Sequence, residues 1–184
     1  MAIETPEYEV LKKNRNIEIR QYPGYIQAEA EVPGQNYRSA IETGFNILAG
    51  YIFGNNTSRK KIDMTSPVKT SVSEKIPMTS PVKISGKYKY KVAFIMPSRY
   101  SLGELPVPGD KRIGFREILP HKMAVIRFSG FFNEKRINDS IKKLVNFLQD
   151  EGIDTEGEYI IAGYNPPWIP GFLARNEVMA KIRE

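Results

Sequence analysis

Ile17-Glu-Ile-Arg20 recurs as Ile113-Gly-Phe-Arg116, 96 residues later in a chain of 184 residues. The same offset aligns Gly34 with Gly130 and continues through two segments with helical spacing of apolar residues. The apolar residues that match there are Ile41 with Ile137, Phe45 with Ile141, Leu48 with Leu144 and Ile52 with Leu148. A repeat of this length predicts two related halves, about residues 8–105 and 106–184, within one domain that spans residues 1–184.

Each half shows the pattern strand, strand, helix, strand. Residues 25–32 and 123–128 are apolar or alternating runs of strand length, and a glycine closely follows each. The first helix is predicted from about residue 35 to residue 53, with Gly54 as its stop. The second is predicted to be capped by Asn133 and to stop at Gly152. Two such units predict the α+β class, with a curled, mostly antiparallel sheet or distorted barrel flanked by two helices.

A shorter repeat lies inside the first half. Lys61-Ile-Asp-Met-Thr-Ser-Pro-Val-Lys69 and Lys75-Ile-Pro-Met-Thr-Ser-Pro-Val-Lys83 agree at eight of nine positions. The loop between the copies has hairpin length, so we expect them to pair as antiparallel strands. Each Met-Thr-Ser-Pro-Val run contains a proline, Pro67 or Pro81, which has no backbone N–H to donate to a neighbouring strand. We therefore expect these prolines at a strand end, a bulge or an edge. Residues 90–97 also resemble residues 159–166, which predicts a second half that lacks 27 residues, this hairpin included.

The composition is that of a soluble globular protein, with 41% hydrophobic and 26% charged residues. Cysteine is absent, which excludes disulfides, zinc–cysteine sites, iron–sulfur clusters and a cysteine nucleophile. The amino terminus lacks the basic and apolar regions of a signal peptide. No apolar run approaches the roughly 20 residues of a membrane helix. We therefore expect a cytoplasmic protein with no membrane span.

The net charge of +6 is concentrated in one segment. Residues 58–91 carry +7, and the remainder of the chain carries −1. We interpret the segment as a solvated hairpin whose edge is guarded by lysine, and no specific nucleic-acid partner is predicted because arginine and aromatic residues do not alternate there. Phosphate, an anionic membrane surface and a ligand carboxylate are the alternative partners of this segment.

Five motifs follow one another along the chain. They are Met64-Thr-Ser-Pro-Val68, Met78-Thr-Ser-Pro-Val82, Val92-Ala-Phe-Ile-Met-Pro97, Tyr164-Asn-Pro-Pro-Trp168 and Arg175-Asn-Glu-Val178. In this order they resemble the SOUL, or haem-binding-protein, family over about residues 8–182. The resemblance implies a duplicated barrel with two flanking helices and reversible, non-covalent binding of haem or another tetrapyrrole. It implies no shared catalysis, so we predict a monomeric binding protein rather than an enzyme. Haem-modifying activity, in which the tetrapyrrole carries the chemistry, is the alternative.

The first predicted helix offers the candidate haem site. Its apolar arc spans roughly 200°, against roughly 160° on the second helix, and the extra width comes mainly from Ala49 beside Phe45. An apolar plate needs such a surface together with a covering loop. The predicted haem contacts are Phe45, Leu48, Ala49, Ile52, Trp168 and Phe172. Ordinary packing of this shoulder beneath the loop is an equal alternative.

The charges on the same helix are the second part of the predicted site. Arg38 lies on the apolar shoulder, where it would pair with a haem carboxylate. The resemblance leads us to expect further cations on this helix, but the chain has Glu42 and Gly50 there. Arg38 or the lysine-rich hairpin would then hold the carboxylates.

The axial ligand of a haem iron is left open by the sequence. His121 is the only histidine, and it follows Pro120 in the predicted turn between two strands of the second half. We expect it to be exposed and dispensable for ligand binding. Sulfur ligands are available from Met64, Met78 and Met96, although methionine in a strand usually fills the core.

Glu177 carries an alternative function. It lies just ahead of an apolar strand, where a carboxylate can face inwards, and we interpret it as a structural ion pair with Arg175. The duplicated architecture also resembles gyrase-inhibitor-like effector-binding domains, which hold amphipathic cations around a buried glutamate. That function would need Glu177 desolvated among aromatic residues such as Tyr164. A protein-interaction module that exposes residues 166–170 is a third possibility.

Overall fold

The computed structural model describes residues 4–34, 37–72, 88–130, 133–164 and 170–183. Within these ranges the chain forms nine strands, two α-helices and two short 3-10 turns. The strands and helices are β1 (Glu9–Asn14), β2 (Ile17–Tyr22), β3 (Tyr25–Gly34), α1 (Tyr37–Ile52), β4 (Val68–Val72), β5 (Tyr88–Ile95), β6 (Ile113–Ile118), β7 (His121–Phe128), α2 (Glu134–Asp150), β8 (Thr155–Gly163) and β9 (Asn176–Ile182). The 3-10 turns are Leu102–Glu104 and Gly171–Leu173.

The strands form one antiparallel sheet in the order β1-β2-β7-β9-β8-β4-β5-β3-β6. β1 and β6 are the two edges, so the described sheet is open and does not close into a barrel. The predicted α+β class, with an antiparallel sheet and two flanking helices, is confirmed. Of the two forms that the sequence allowed, the open sheet is the one that the chain adopts.

The internal repeat is visible as a pseudo-twofold relation between the halves. β2, β3, α1, β4 and β5 correspond in their pairing to β6, β7, α2, β8 and β9, and β4 pairs with β8 where the halves meet. Ala28 pairs with Phe94, and its counterpart Ala124 pairs with Ala180. β5 therefore corresponds to β9.

This correspondence corrects two predictions about the second half. Two strands rather than one follow each helix, and the match of residues 90–97 with 159–166 was wrong because it aligned β5 with β8. β8 and β9 each contain a short apolar run, residues 159–162 and 178–180, so local sequence could not distinguish them. The strand formed after the first Met-Thr-Ser-Pro-Val copy, β4, thus has a counterpart in β8. Pro67 immediately precedes β4, as expected for a proline at a strand end. The second copy, including Pro81, lies outside the described residues.

The helix boundaries follow from local capping. The Asn133 side chain accepts a hydrogen bond from the Arg136 backbone N–H at 2.8 Å, which confirms the predicted cap of α2. Gly54 and Gly152 follow the two helices with φ values of 111° and 64°, a region that glycine enters without steric cost. Both predicted stops are therefore confirmed.

Both helices pack on one face of the sheet. α1 covers a core that includes Ala28, Val92 and Phe94, and α2 covers a core that includes Ala124 and Val178. α1 approaches β5 so closely that a Cβ added at Gly44 would lie 2.4 Å from Val92 Cγ2, so the helix needs glycine at this crossing. The residues between these core positions in each strand point to the other side of the sheet, which we call the helix-free face.

Candidate functional site

An apolar line on α1 is the first candidate site. Phe45, Ala49 and Phe53 are spaced by four residues and therefore share one side of the helix axis; we call them the α1 stripe. The half-buried Phe45 ring packs edge-on against Phe94, with 5.4 Å between ring centroids. Phe53, just beyond the last helical residue, is 65% exposed. Ala49, between the two rings, is buried at 8% exposure. The stripe therefore offers a ligand mainly the rings of Phe45 and Phe53 at its two ends.

The other predicted haem contacts are placed differently. Leu48 and Ile52 are fully buried in the core beneath α1, so they have no surface to offer a ligand. Phe172 lies in the second 3-10 turn and is 76% exposed, so its ring is not packed over the α1 stripe. Trp168 and the side chain of Arg38 lie outside what the structure describes, although the Arg38 backbone belongs to α1.

His121 is buried, which corrects the expectation of an exposed turn residue. It is the first residue of β7 and pairs in register with Tyr22 of β2. The imidazole stacks on the Tyr22 ring, with 5.7 Å between centroids, and Nδ1 lies 2.8 Å from the Leu119 carbonyl oxygen. The turn ends one residue earlier than predicted, so His121 is already part of β7. Its pairing with Tyr22 buries the imidazole against the neighbouring strand.

Two of the three candidate sulfur ligands can be located. Met96 is buried in the first core, and Met64 is half-buried against the same core. Both act as the filling residues that strand methionines usually are. Met78 lies outside the described residues. The described ranges also contain no group of three or more His, Asp or Glu side chains placed to hold a metal ion.

The helix-free face holds a buried ionic network around Glu177. The Glu177 side chain has no exposed surface and accepts paired hydrogen bonds from Arg20, at 2.9 Å and 3.0 Å. Arg175 donates to Oε1 from Nε and Nη2, at 3.0 Å and 2.8 Å, and the Tyr164 hydroxyl donates to Oε2 at 2.8 Å. The predicted ion pair with Arg175 is confirmed. Burial raises the pKa of Glu177, but the hydrogen bonds and charges of the two arginines outweigh it and hold the pKa below its ordinary value.

Arg20 is the centre of this network, and sequence reasoning missed it. Its guanidinium is buried, bonds to Glu18 through Nε at 2.8 Å, and lies 4.2 Å from the centroid of the Tyr8 ring. Burial lowers the pKa of Arg20, but the contacts with Glu177 reverse the effect and raise it. The alternation of Ile17 and Ile19 with polar residues in β2 was the available signal, since it predicts that Arg20 shares the side opposite the core.

Lys69 is a second buried cation on the same face, and it also went unrecognised. It is 5% exposed, and its ammonium donates to the Tyr25 hydroxyl at 2.6 Å while lying 4.5 Å from the Tyr25 ring centroid. Burial lowers its pKa from 10.5 to about 8, against the opposing effect of the negative charge on Glu177. A small open pocket of about 40 Å³ adjoins it. The pocket is lined by Gln27, Lys69, Thr70, Ser71, Lys91, Ala93 and Ile160.

The architecture defines the class of protein first: a duplicated α+β domain with two helices on one face of an open antiparallel sheet. A family model described as "SOUL heme-binding protein" matches residues 3–181. The chain therefore belongs to the SOUL family, which confirms the resemblance seen in its motifs.

Named relatives agree with this assignment. Heme-binding protein 2 of Homo sapiens is 28% identical over 174 residues, which cover 90% of this chain and 80% of that protein. Heme-binding protein 1 of Xenopus laevis is 28% identical over 163 residues, covering 88% of this chain and 80% of that protein. Both relatives carry the name of a binding protein rather than of an enzyme.

Solved structures show the same fold at low identity. The C-terminal domain of EcmrR superposes with a TM-score of 0.66 at 12% identity, covering 96% of this chain and 98% of that chain. A hydrolase from Listeria innocua gives a TM-score of 0.60 at 10% identity, with 94% of each chain covered. At these identities the likeness concerns the fold alone.

Among the described residues, no helix has the length and apolarity needed to cross a bilayer.

Proposed function

We propose that this protein reversibly binds haem or a related tetrapyrrole, without catalysing a reaction on it, against the α1 stripe. The observation that carries the proposal is family membership over nearly the whole chain, and the partly exposed rings of Phe45 and Phe53 along α1 support it. A tetrapyrrole is a flat apolar plate with two carboxylates, and it gains affinity by covering such a line.

The residues of α1 fit the apolar part of this ligand. At 1.5 Å per residue, the stripe from Phe45 to Phe53 is about 12 Å long, which suits the width of a porphyrin. Arg38 lies seven residues before Phe45, close to two full helical turns, so it belongs to the same side of α1 and would pair with a carboxylate. The loop with Trp168 and Phe172 would close over the outer face of the plate.

The iron is expected to bind without His121. Its ring is stacked on Tyr22 and its Nδ1 contacts the Leu119 carbonyl, on a strand of the second half rather than beside α1. Bound haem would supply an iron centre, while the chain itself supplies the apolar surface and the cation. Replacing His121 with alanine should therefore leave the haem affinity unchanged, and a lost Soret shift in a folded variant would assign the histidine as ligand.

Titration with ferric haem, followed at the Soret band, tests the proposed surface. Phe45→Ala removes ring contacts and should weaken binding by about 1–3 kcal/mol, or roughly 5- to 150-fold. Leu119→Ala is the matched control. Leu119 is 75% exposed in the turn between β6 and β7, so this substitution removes a similar apolar area away from the α1 stripe. Equal affinities in the parent, the control and Phe45→Ala would refute the site.

Substitution of Arg38 tests the charge of the ligand. Arg38→Glu should lower the affinity for haem and leave the affinity for a neutral porphyrin ester unchanged. The loss of haem affinity should shrink at high salt because exposed charges are screened. An unchanged affinity for haem at low salt would remove Arg38 from the site.

The cation-binding alternative has a specific contact against it. Two arginines and a tyrosine already satisfy the Glu177 carboxylate, so a cationic ligand would have to displace them. Glu177→Gln separates the two functions, since it should abolish cation binding but leave the α1 stripe intact. Loss of ligand only in Glu177→Gln would favour the alternative.

A further inference from the structure

The pocket beside Lys69 lies where the two halves of the sheet meet. Its walls come from β4 and β8, which pair across the pseudo-twofold relation, and from β3 and β5. Lys69 pairs with Ala93 of β5, and Ile160 of β8 pairs with Met179 of β9, so Lys69 and Ile160 occupy corresponding places in the two halves. This pocket is on the helix-free face, opposite α1.

Within the described ranges, Lys69 is a buried charge without a neutralising partner. Among the described residues, no carboxylate oxygen lies within 4.0 Å of its ammonium, and its one hydrogen bond goes to the neutral Tyr25 hydroxyl. An ammonium held out of water without a counter-ion is costly, so buried charges are normally paired. At pH 7 the group is still largely protonated, because its pKa is lowered only to about 8.

The two described carboxylates in the same row of the sheet as Lys69 are engaged by other cations. Glu177 is bonded to two arginines, and Glu29 contacts Arg116 at 3.2 Å and Lys91 at 3.8 Å. Neither is free to neutralise Lys69.

Lys91 adds a second cation to the pocket wall. It pairs with Glu31 of β3, just as Glu177 pairs with Arg127 of β7, so Lys91 stands at the place in the first half that Glu177 occupies in the second. The charge at this position is therefore inverted between the halves. The pocket wall thus carries a cation in the first half where the second half has a carboxylate.

We propose that the pocket binds a small anion, a carboxylate or phosphate group, held by the ammonium groups of Lys69 and Lys91. A space of about 40 Å³ has room for one such group but not for a porphyrin, so the anionic end of a ligand enters and the remainder stays on the open side. The Ser71 side chain, also at the wall, offers a hydroxyl donor. The site does not rest on the haem function, because it lies on the other face of the sheet.

Thermal unfolding followed by circular dichroism tests this site. The parent is titrated at pH 7 with sodium phosphate in one series and sodium acetate in another, with sodium chloride holding the ionic strength constant. A ligand that binds only the folded state raises the Tm with its concentration. The larger rise of the two series shows whether phosphate or carboxylate is preferred.

Variants separate the site from general salt effects. Lys69→Met should raise the anion concentration needed for a given rise in Tm by about tenfold or more, the value of a lost charge-assisted hydrogen bond. Lys91→Met should also raise this concentration. Lys89→Met is the matched control, because Lys89 is an exposed lysine on β5, the strand that carries Lys91. Phe45→Ala should keep the parent response, whatever its effect on haem.

Two results would overturn the proposal. One is a parent Tm that rises in neither anion beyond the chloride reference. The other is an equal rise in the parent, Lys89→Met and Lys91→Met. Lys91→Met keeps the test decisive if Lys69→Met does not fold.

Discussion

Glu177 and Lys69 lie in one row across the helix-free face, with only Ala162 between them in the register. Both are buried and they carry opposite charges, but their surroundings differ. Every oxygen of Glu177 accepts hydrogen bonds from charged or phenolic donors. In the part of the chain that the structure describes, Lys69 has one neutral partner and an adjoining pocket. The first charge is part of the structure, and the second has capacity left for a ligand.

The comparison also shows how each charge affects stability. A buried ion pair with complete hydrogen bonding contributes little compared with an apolar pair, but removal of one partner leaves a charge that water cannot reach. Glu177 should therefore be sensitive to the loss of its arginines. Lys69 already bears part of that cost in the native protein, so its removal should not be destabilising.

The largest effect is expected from Arg20. Arg20→Met leaves Glu177 with the half-buried Arg175 as its one cation in this network, beside the neutral Tyr164 hydroxyl. We expect a loss of about 3–5 kcal/mol in the free energy of unfolding, measured by urea denaturation. Arg112→Met is the control, since it breaks an exposed pair with Asp110 that water screens, and its loss of stability should be much smaller. Equal losses in the two variants would mean that the network around Glu177 is not the stabilising element.

The deprotonation of Lys69 is expected to raise the free energy of unfolding by about 3 kcal/mol at alkaline pH. The native pKa of about 8 lies below the ordinary 10.5, so between these pH values the unfolded chain binds more protons than the native one. Stability from this group therefore rises as the pH increases from 8 to 10.5, and the penalty is complete below pH 8. Urea denaturation at several pH values should show this rise in the difference between the parent and Lys69→Met. The difference is needed because burial raises the pKa of tyrosines such as Tyr22 and Tyr25, so both proteins lose stability above about pH 10. The same slope in both would assign the pH dependence to other groups.

The smallest effect is expected from Arg175. Its guanidinium is half-buried, lies 4.0 Å from the centroid of the Tyr164 ring and shares Glu177 with Arg20. Arg175→Met should cost about 1–2 kcal/mol in the free energy of unfolding, clearly less than Arg20→Met. If Arg175→Met is the more damaging change, Arg175 rather than Arg20 holds the Glu177 charge.

Features that depend on neighbours along the chain could be predicted without a structure. The offset between Ile17 and Ile113 revealed the duplication, and the side chain of Asn133 and the glycines after α1 and α2 set the helix boundaries. Capping and helical periodicity act over a few residues, so they can be recognised without knowledge of the fold. The ion pair between Glu177 and Arg175 was likewise within reach, because the two residues lie on the same side of one extended segment.

Tertiary structure alone decided which strands pair and which charges are buried. β4 meets β8 at the junction of the halves, and this pairing of distant segments places Lys69 in the centre of the sheet rather than on a solvated hairpin. The same kind of long-range contact brings Arg20 to Glu177, 157 residues away, and covers His121 with Tyr22. A strand's alternation states which residues share a side, but the exposure of that side depends on elements packed from elsewhere in the chain, which local sequence does not encode.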